Sequence, residues 1–211
     1  MILHKALAAV AVAVASVAAA AAGPVVIDFE GTQSFGSING YYNGGVDGAG
    51  NSGPNYGVAF APGAQGLSND DINTYFSHAP SAGSVMFATD ADAFMNIASG
   101  FSGIASFYYS SSVAALNAIN IYSGLNGTGA ILGSFSLAAN SQLGCIDTAF
   151  CNFDKISVSF AGIGKSVGFG VSPGSVAFDN IEVSAVPEPS SYVLTTIGLA
   201  ALGLFARRRK A

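Results

Sequence analysis

The sequence has no tryptophan and only two histidines, two cysteines and seven basic residues among its 211 positions. Five of the basic residues lie at the two ends of the chain, which leaves Lys155 and Lys165 in its central part. Eleven of the twelve acidic residues lie between Asp28 and Glu182. A domain of this charge repels phosphate backbones, which argues against nucleic acid as a partner.

The scarcity of histidine limits the catalytic chemistry that the chain can carry. His4 lies in a segment that we expect to be removed, so His78 is the one candidate base for a nucleophilic triad. A glycoside hydrolase would instead need two opposed carboxylates, for which Asp70 and Asp92 are one available pair. Because acids in solvated turns explain the same pattern, we predict no catalytic residue and keep a polysaccharide-active enzyme as the alternative.

The two cysteines, Cys145 and Cys151, lie six positions apart in one predicted loop. Export exposes cysteines to oxidising conditions, and this separation suits a bridge that closes a loop between strands. A metal-binding pair is the other interpretation, which is weakened because no histidine or further cysteine accompanies them in the sequence. We therefore predict a structural disulfide between Cys145 and Cys151.

Residues 1–22 have the organisation of a secretory signal peptide. Lys5 supplies the charge of a short n-region, residues 6–19 form an apolar segment, and 20–22 are the small residues that signal peptidase recognises. We expect cleavage after Ala22, which would leave an exported domain at 23–185. An uncleaved anchor helix is the alternative, and the short alanine-rich segment disfavours it.

Residues 23–185 consist of short β-patterned segments separated by turn residues. The predicted strands are 25–30, 56–60, 83–88, 94–98, 104–110, 118–122, 130–137, 155–160, 166–171 and 175–183. We expect turns at 99–100, 126–127 and 162–164, and residues 113–116 are the one candidate for a helical turn. The pattern predicts an all-β, jelly-roll-like β-sandwich, and the lack of crossover helices excludes a parallel α/β fold.

Three acids of the predicted first and last strands are candidate ligands for a structural calcium ion. Asp28 and Glu30 lie two positions apart and would point to one side of the first strand, while Asp179 belongs to the last strand. If those strands are neighbours, the carboxylates converge as the oxygen ligands that Ca²⁺ requires. The alternative is a polar outer face, since charges on edge strands prevent aggregation.

Several tyrosines could offer stacking surfaces for sugars, which makes carbohydrate binding a hypothesis: Tyr41, Tyr42, Tyr56, Tyr108, Tyr109 and Tyr122. Strand alternation places Tyr108 and Tyr109 on opposite faces, so we expect one of them to belong to the core.

The C-terminus contains three features in sequence: the triplet Pro187-Glu188-Pro189, an apolar segment at 190–206 and a cationic cluster. The cationic cluster consists of Arg207, Arg208, Arg209 and Lys210. The apolar segment is marginal for a transmembrane helix, which needs about 20 residues, and the cations would hold its end on the cytoplasmic side. Together these features resemble the PEP-CTERM sorting domain, also labelled the ice-binding protein C-terminal domain.

The resemblance implies a Gram-negative bacterium that makes extracellular polysaccharide, and an inner-membrane-anchored precursor whose tail an exosortase removes after signal peptidase has acted. Three segments are also similar to the ectodomains that precede such tails: 107–110, 122–129 and 178–183. Those ectodomains resemble jelly-roll carbohydrate-binding modules, often with a structural calcium. We therefore expect a non-catalytic envelope or matrix protein that binds exopolysaccharide or has a structural role.

Overall fold

In the computed structural model of the protein, residues 24–185 and Gly198 are described. No helix occurs within 24–185, which contains nine strands. They are β1 (Val25–Ile27), β2 (Val58–Phe60), β3 (Ala64–Ser68), β4 (Ser84–Ala88), β5 (Phe94–Ser111), β6 (Ala115–Tyr122), β7 (Ile131–Leu137), β8 (Asp154–Gly168) and β9 (Val176–Ala185).

The predicted processing segments lie outside the described residues. They are the signal peptide at 1–22 with its cleavage site at Ala22, the Pro187-Glu188-Pro189 triplet, the cationic cluster, and the apolar segment at 190–206 apart from Gly198. Among the described residues, no helix combines the length and apolar character that a membrane crossing requires.

The nine strands form one antiparallel sheet in the order β3-β4-β9-β5-β8-β6-β7, with β1 paired to β9 and β2 paired to β5. The long strands β5 and β8 pair along most of their length, with register shifts between Asn96 and Gly103. Such irregularities bend a strand, so the sheet folds over a single main core. The architecture is an all-β, jelly-roll-like β-sandwich, as predicted.

The main core is built from alternate residues of the central strands. On β9 and β5, Phe178 and Phe107 are buried with their ring centroids 5.8 Å apart, and Phe169 lies 4.8 Å from Phe178. Tyr109 is buried in this core and Tyr108 is only partly buried, which confirms the predicted alternation.

A second, smaller hydrophobic cluster lies on the other face of β3, β4 and β9. Its buried members are Leu67, Phe76, Val85 and Ala177, and partly buried aromatic residues of two loops pack against them. The loops comprise residues 69–80 and 138–153. They meet at a parallel bridge between Phe76 and Phe150, which joins the two loops over the sheet.

Two predicted turns are instead parts of continuous strands. Residues 99–100 lie inside β5 and residues 162–164 inside β8. Gly100 and Gly162 have positive φ values of 89° and 94°, so these glycines allow the strands to bend without ending. The predicted helical turn at 113–116 is a bend that leads into β6, and β3 was not predicted because Gly66 interrupts its apolar pattern.

The predicted turn at Asn126-Gly127 is confirmed within the connection from β6 to β7. Both residues have positive φ, 52° and 70°, which is the geometry that makes Asn-Gly favourable in tight turns. The predicted disulfide between Cys145 and Cys151 is also confirmed, and their Cα atoms lie 6.0 Å apart.

Candidate metal centre

The antiparallel pairing of β1 with β9 places the ends of the domain side by side. Ile27 lies opposite Ile181, so Asp28 leaves β1 close to Asp179. The strand ends at Ile27 because Phe29 has a φ of 62°, which turns the chain out of the extended conformation. The predicted strand at 25–30 is therefore too long, and simple alternation does not orient the two acids that follow it.

Oxygen atoms converge on the hydroxyl of Ser81, in the loop before β4. Its Oγ lies 2.9 Å from the Asp28 carbonyl oxygen and 3.3 Å from the Ser84 carbonyl oxygen. It also lies 2.8 and 2.9 Å from Oδ1 and Oδ2 of Asp179. A hydroxyl has one hydrogen to donate, so it cannot satisfy four acceptors. The cluster is thus rich in oxygen acceptors, which the Ser81 hydroxyl alone cannot satisfy.

The side chains of the other two predicted ligands have partners of their own. Oδ1 of Asp28 accepts hydrogen bonds from the Tyr42 hydroxyl at 3.3 Å and from the Glu30 N–H at 3.2 Å. Oε1 of Glu30 accepts from the N–H groups of Gly83, at 2.8 Å, and Ser84, at 3.2 Å. Asp28 therefore reaches the cluster through its backbone carbonyl, while its carboxylate points to Tyr42.

Asp179 is the fully buried acid of this cluster. Burial raises the pKa of Asp179 to about 6, and the nearby negative charge of Glu30 adds to the effect. Hydrogen bonds from Ser81 and from the Asn180 N–H oppose that rise, because they stabilise the carboxylate. An ionised Asp179 is consequently costly unless positive charge joins it.

These residues fit a hard cation such as Ca²⁺, which takes about six to eight oxygen ligands in adaptable geometry. The cluster offers the Asp28 and Ser84 carbonyls, the Ser81 hydroxyl and both carboxylate oxygens of Asp179, with Glu30 next to them. Sequence reasoning missed Ser81 and Ser84. Ser81 lies 98 positions from Asp179, and no local pattern marks a loop serine as a candidate ligand.

Side-chain ligand atoms of another type converge at the disulfide. His78, Cys145 and Cys151 each offer an atom within 4.8 Å of the others. In the described part of the chain, no other group of three or more His, Cys, Asp or Glu side chains brings its ligand atoms within 4.8 Å of one another. The carboxylates of Asp28, Glu30 and Asp179 therefore do not come this close together. His78 was not expected beside the cysteines, because it lies 73 positions from Cys151 in the sequence and only the fold brings it there.

The candidate catalytic acids Asp70 and Asp92 lie in separate loops. The backbone N–H groups of Ile72 and Asn73 and the Asn73 amide donate to Asp70 and lower its pKa. Asp92 lies in a separate connection before β5, where its N–H donates to Asp90. A general acid needs a raised pKa, so Asp70 has the opposite character.

Residues 170–174 have the Gly-x-Ser-x-Gly spacing of a nucleophile elbow, with Ser172 at its centre. An elbow of this kind joins a strand to a helix. Here the segment joins β8 to β9, and the Ser175 N–H donates to the Ser172 carbonyl within the turn. The spacing therefore does not create a nucleophile site.

Within residues 24–185, two aromatic side chains are largely exposed, those of Tyr56 and Phe35. Tyr56 is exposed and stacks on the buried Tyr42, with ring centroids 6.1 Å apart. Phe35 is 55% exposed, and it contacts Tyr75 and Phe87 edge to face at 5.3 and 5.9 Å. Of the other predicted stacking residues, Tyr41, Tyr42 and Tyr109 are buried, and Tyr108 lies beneath the amine of Lys155.

No curated protein sequence matches the chain. Similar solved structures include a family 6 carbohydrate-binding module, 15% identical with a TM-score of 0.42, covering 77% of this chain and 94% of that one. The K2 cleaved adhesin domain of Lys-gingipain is 11% identical with a TM-score of 0.46, and the coverage is 76% and 99%. CsCBM6-3 from Clostridium stercorarium, in complex with cellobiose, is 20% identical with a TM-score of 0.37, covering 59% and 84%.

A family model described as the PEP-CTERM protein-sorting motif matches residues 185–210. The match includes the Pro187-Glu188-Pro189 triplet, the apolar segment and the cationic cluster. The chain therefore carries a PEP-CTERM protein-sorting motif, which begins at the last residue of β9.

Proposed function

We propose that the protein is an exported, non-catalytic module that PEP-CTERM sorting delivers to the cell envelope or extracellular matrix of a Gram-negative bacterium. There it binds extracellular polysaccharide and carries a structural Ca²⁺. The position of the sorting motif carries the proposal: the motif begins at Ala185, where β9 ends. The β-sandwich is thus the part of the chain that sorting would deliver, and exosortase would act just beyond it.

The oxygen cluster around Ser81 supports the calcium part of the proposal. A bound Ca²⁺ would be held by the carbonyl oxygens of Asp28 and Ser84, the hydroxyl of Ser81 and the carboxylate of Asp179. It would neutralise the negative charges of Asp179 and Glu30, which repel each other when no metal is bound. Because these residues come from the end of β1, the loop before β4, and β9, the ion would join three parts of the sandwich.

The aromatic cluster formed by the exposed Phe35 and the partly buried Tyr75 and Phe87 supports the polysaccharide part. The rings lie at the surface over the second hydrophobic cluster and pack against one another. Phe35 has a φ of 55° while its N–H donates to the Gly66 carbonyl at 2.8 Å, so the backbone keeps an aromatic residue in an unfavourable conformation at the surface. An exposed aromatic patch of this kind is a typical ligand contact.

The sorting part is tested by the mass of the mature protein in a host that contains an exosortase. Wild type should lose its C-terminal tail, whereas Glu188→Ala should keep it, because the change alters the Pro-Glu-Pro triplet that the enzyme would recognise. Glu182→Gln, which changes a glutamate of β9, is the matched control and should be processed like wild type. Equal mature masses for wild type and Glu188→Ala would contradict the sorting role.

The binding part is tested by co-sedimentation of the full chain with the exopolysaccharide of its host. We expect Phe35→Ala to weaken binding about fivefold, since an aromatic contact contributes about 1 kcal/mol. Ile72→Ala is the control, because Ile72 is 90% exposed on the neighbouring loop and has no aromatic ring. The binding role fails if wild type does not co-sediment, or if both variants bind as wild type does.

A further inference from the structure

His78 lies beside the disulfide although it is 73 positions from Cys151 in the sequence. Its Nδ1 atom is 3.9 Å from Sγ of Cys151 and 3.3 Å from the Cys151 carbonyl oxygen. With Cys145, the three residues present two sulfur atoms and one imidazole nitrogen within 4.8 Å of one another. This is a donor set of soft and borderline character, unlike the oxygen cluster around Ser81.

The spacing of these atoms is close to what a tetrahedral zinc ion requires. Zn²⁺ binds cysteine sulfur at about 2.3 Å and histidine nitrogen at about 2.0 Å, which in a tetrahedral site places these two ligand atoms about 3.5 Å apart. The observed distance of 3.9 Å between Nδ1 of His78 and Sγ of Cys151 is slightly longer than that value, and a small rotation of either side chain would close the difference. The bonded sulfurs of a disulfide are not thiolate ligands, so the site requires reduced cysteines.

The loops 69–80 and 138–153, which carry these residues, are held together by contacts that do not involve the disulfide, because both cysteines belong to the second loop. The Ser77 N–H donates to the Phe150 carbonyl at 3.0 Å, and the Phe150 N–H donates to the Tyr75 carbonyl at 3.2 Å. The hydroxyls of Ser77 and Thr148 lie 3.2 Å apart. Phe76 and Phe150 also pack in the second hydrophobic cluster. His78 should therefore stay next to the cysteines when the disulfide is opened.

Solvent and ions can reach the site from outside. His78 is exposed, Cys145 is half-buried and Cys151 is buried. A cavity of about 170 Å³ opens beside His78, lined by Ser77, His78 and Ala79 among others. The cavity gives an incoming ion a path to the imidazole, and the sulfur atoms lie within 4.8 Å of it.

We propose that, once the disulfide is reduced, His78, Cys145 and Cys151 bind one zinc ion. A dithiol reductant supplies two electrons and two protons, becomes a cyclic disulfide and leaves two cysteine thiols. Zinc then binds the two sulfurs as thiolates, which releases both thiol protons to solvent. His78 coordinates as a neutral imidazole through Nδ1, with its proton on Nε2, so Nδ1 gives up its contact with the Cys151 carbonyl. A water molecule completes the four-coordinate site.

The proposal is tested by zinc and cobalt titration of the full chain before and after reduction with a dithiol that is then removed without air. The reduced protein should bind one ion per chain, and Co²⁺ should give the strong visible absorption of a tetrahedral site with thiolate charge-transfer bands. The oxidised protein should bind none at this site. His78→Ala should weaken zinc binding by the reduced protein by at least about tenfold, because a ligand is lost.

Ser77→Ala is the matched control, since it removes the hydroxyl contact with Thr148 from the same loop but keeps all three ligands. Zinc affinity within about threefold of wild type is expected for it, and it separates ligand loss from loosening of the loop. Equal weakening in Ser77→Ala and His78→Ala would overturn the proposal. So would a reduced wild-type protein that binds no zinc, or one that binds it equally well without His78.

Discussion

Two clusters of ligand atoms lie on one short segment of the chain, three residues apart. Ser81 is surrounded by carbonyl and carboxylate oxygens, whereas His78 faces two sulfur atoms. The oxygen cluster is joined to the first and last strands and contains the fully buried Asp179. The sulfur and nitrogen cluster connects two surface loops and is open to solvent at His78.

The two clusters differ in the type of ligand atom they offer and in the structural elements they join. Hard oxygen ligands suit Ca²⁺, and thiolate with imidazole suits Zn²⁺, so the two clusters should not exchange ions. An ion at the oxygen cluster would join separate strands and therefore stabilise the whole sandwich. An ion at His78 would replace a disulfide that already closes its loop, so we expect it to change the stability of the fold much less.

Asp179→Asn should have the largest effect, because it removes the one buried carboxylate of the oxygen cluster. Calcium at about 100 times its dissociation constant should stabilise wild type by about 2.7 kcal/mol, which raises Tm by about 5–10 °C in a domain of this size. In Asp179→Asn the rise should disappear. Differential scanning calorimetry of the full chain with chelator and with Ca²⁺ gives the measurement.

Two controls test whether the effect belongs to the oxygen cluster. His78→Ala should keep the full calcium-dependent rise in Tm, because its imidazole belongs to the other cluster. Glu182→Gln should also keep it and should cost less than about 1 kcal/mol, since Glu182 makes a solvent-exposed ion pair of 3.4 Å with Lys155. The separation of the two clusters would be wrong if His78→Ala lost the calcium response.

The sandwich could be predicted from sequence because its signals are local. Alternation located most strands, and Asn126-Gly127 marked its turn correctly. The continuity of β5 and β8 could not be predicted, because glycines such as Gly100 and Gly162 usually indicate turns between strands. Here the strands continue to pair on both sides of these glycines, which bend the strands without ending them. Strand β3 was not predicted for a similar reason: its local sequence pattern is weak, and the strand forms because it pairs with β4.

The candidate sites depended on contacts that are distant in sequence. Asp28, Glu30 and Asp179 could be named from their places in the first and last predicted strands. Ser81 could not be named, because its role comes from the loop before β4 meeting β9. His78 joins Cys151 across 73 positions, so counting ligands in the sequence around the cysteines missed it.

A smaller effect follows from the protonation of Asp179. Its pKa is raised to about 6 from an ordinary value near 3.8, so the folded protein favours the neutral carboxyl. In the metal-free protein, this stabilising effect of the neutral form is present at low pH and is lost as pH rises through about 4 to 6. Calcium binds the ionised form of Asp179, so the stability that bound calcium adds should increase as pH rises through the same range.

The most direct measurement is the calcium-dependent rise in Tm of the wild-type full chain, at one calcium concentration, at pH 7.5 and at pH 5. At pH 5, below the pKa of Asp179 of about 6, most of this carboxyl is protonated, so the apparent affinity for calcium falls and the rise in Tm should be clearly smaller than at pH 7.5. No rise at pH 7.5, or an equal rise at both pH values, would contradict a calcium site at Asp179.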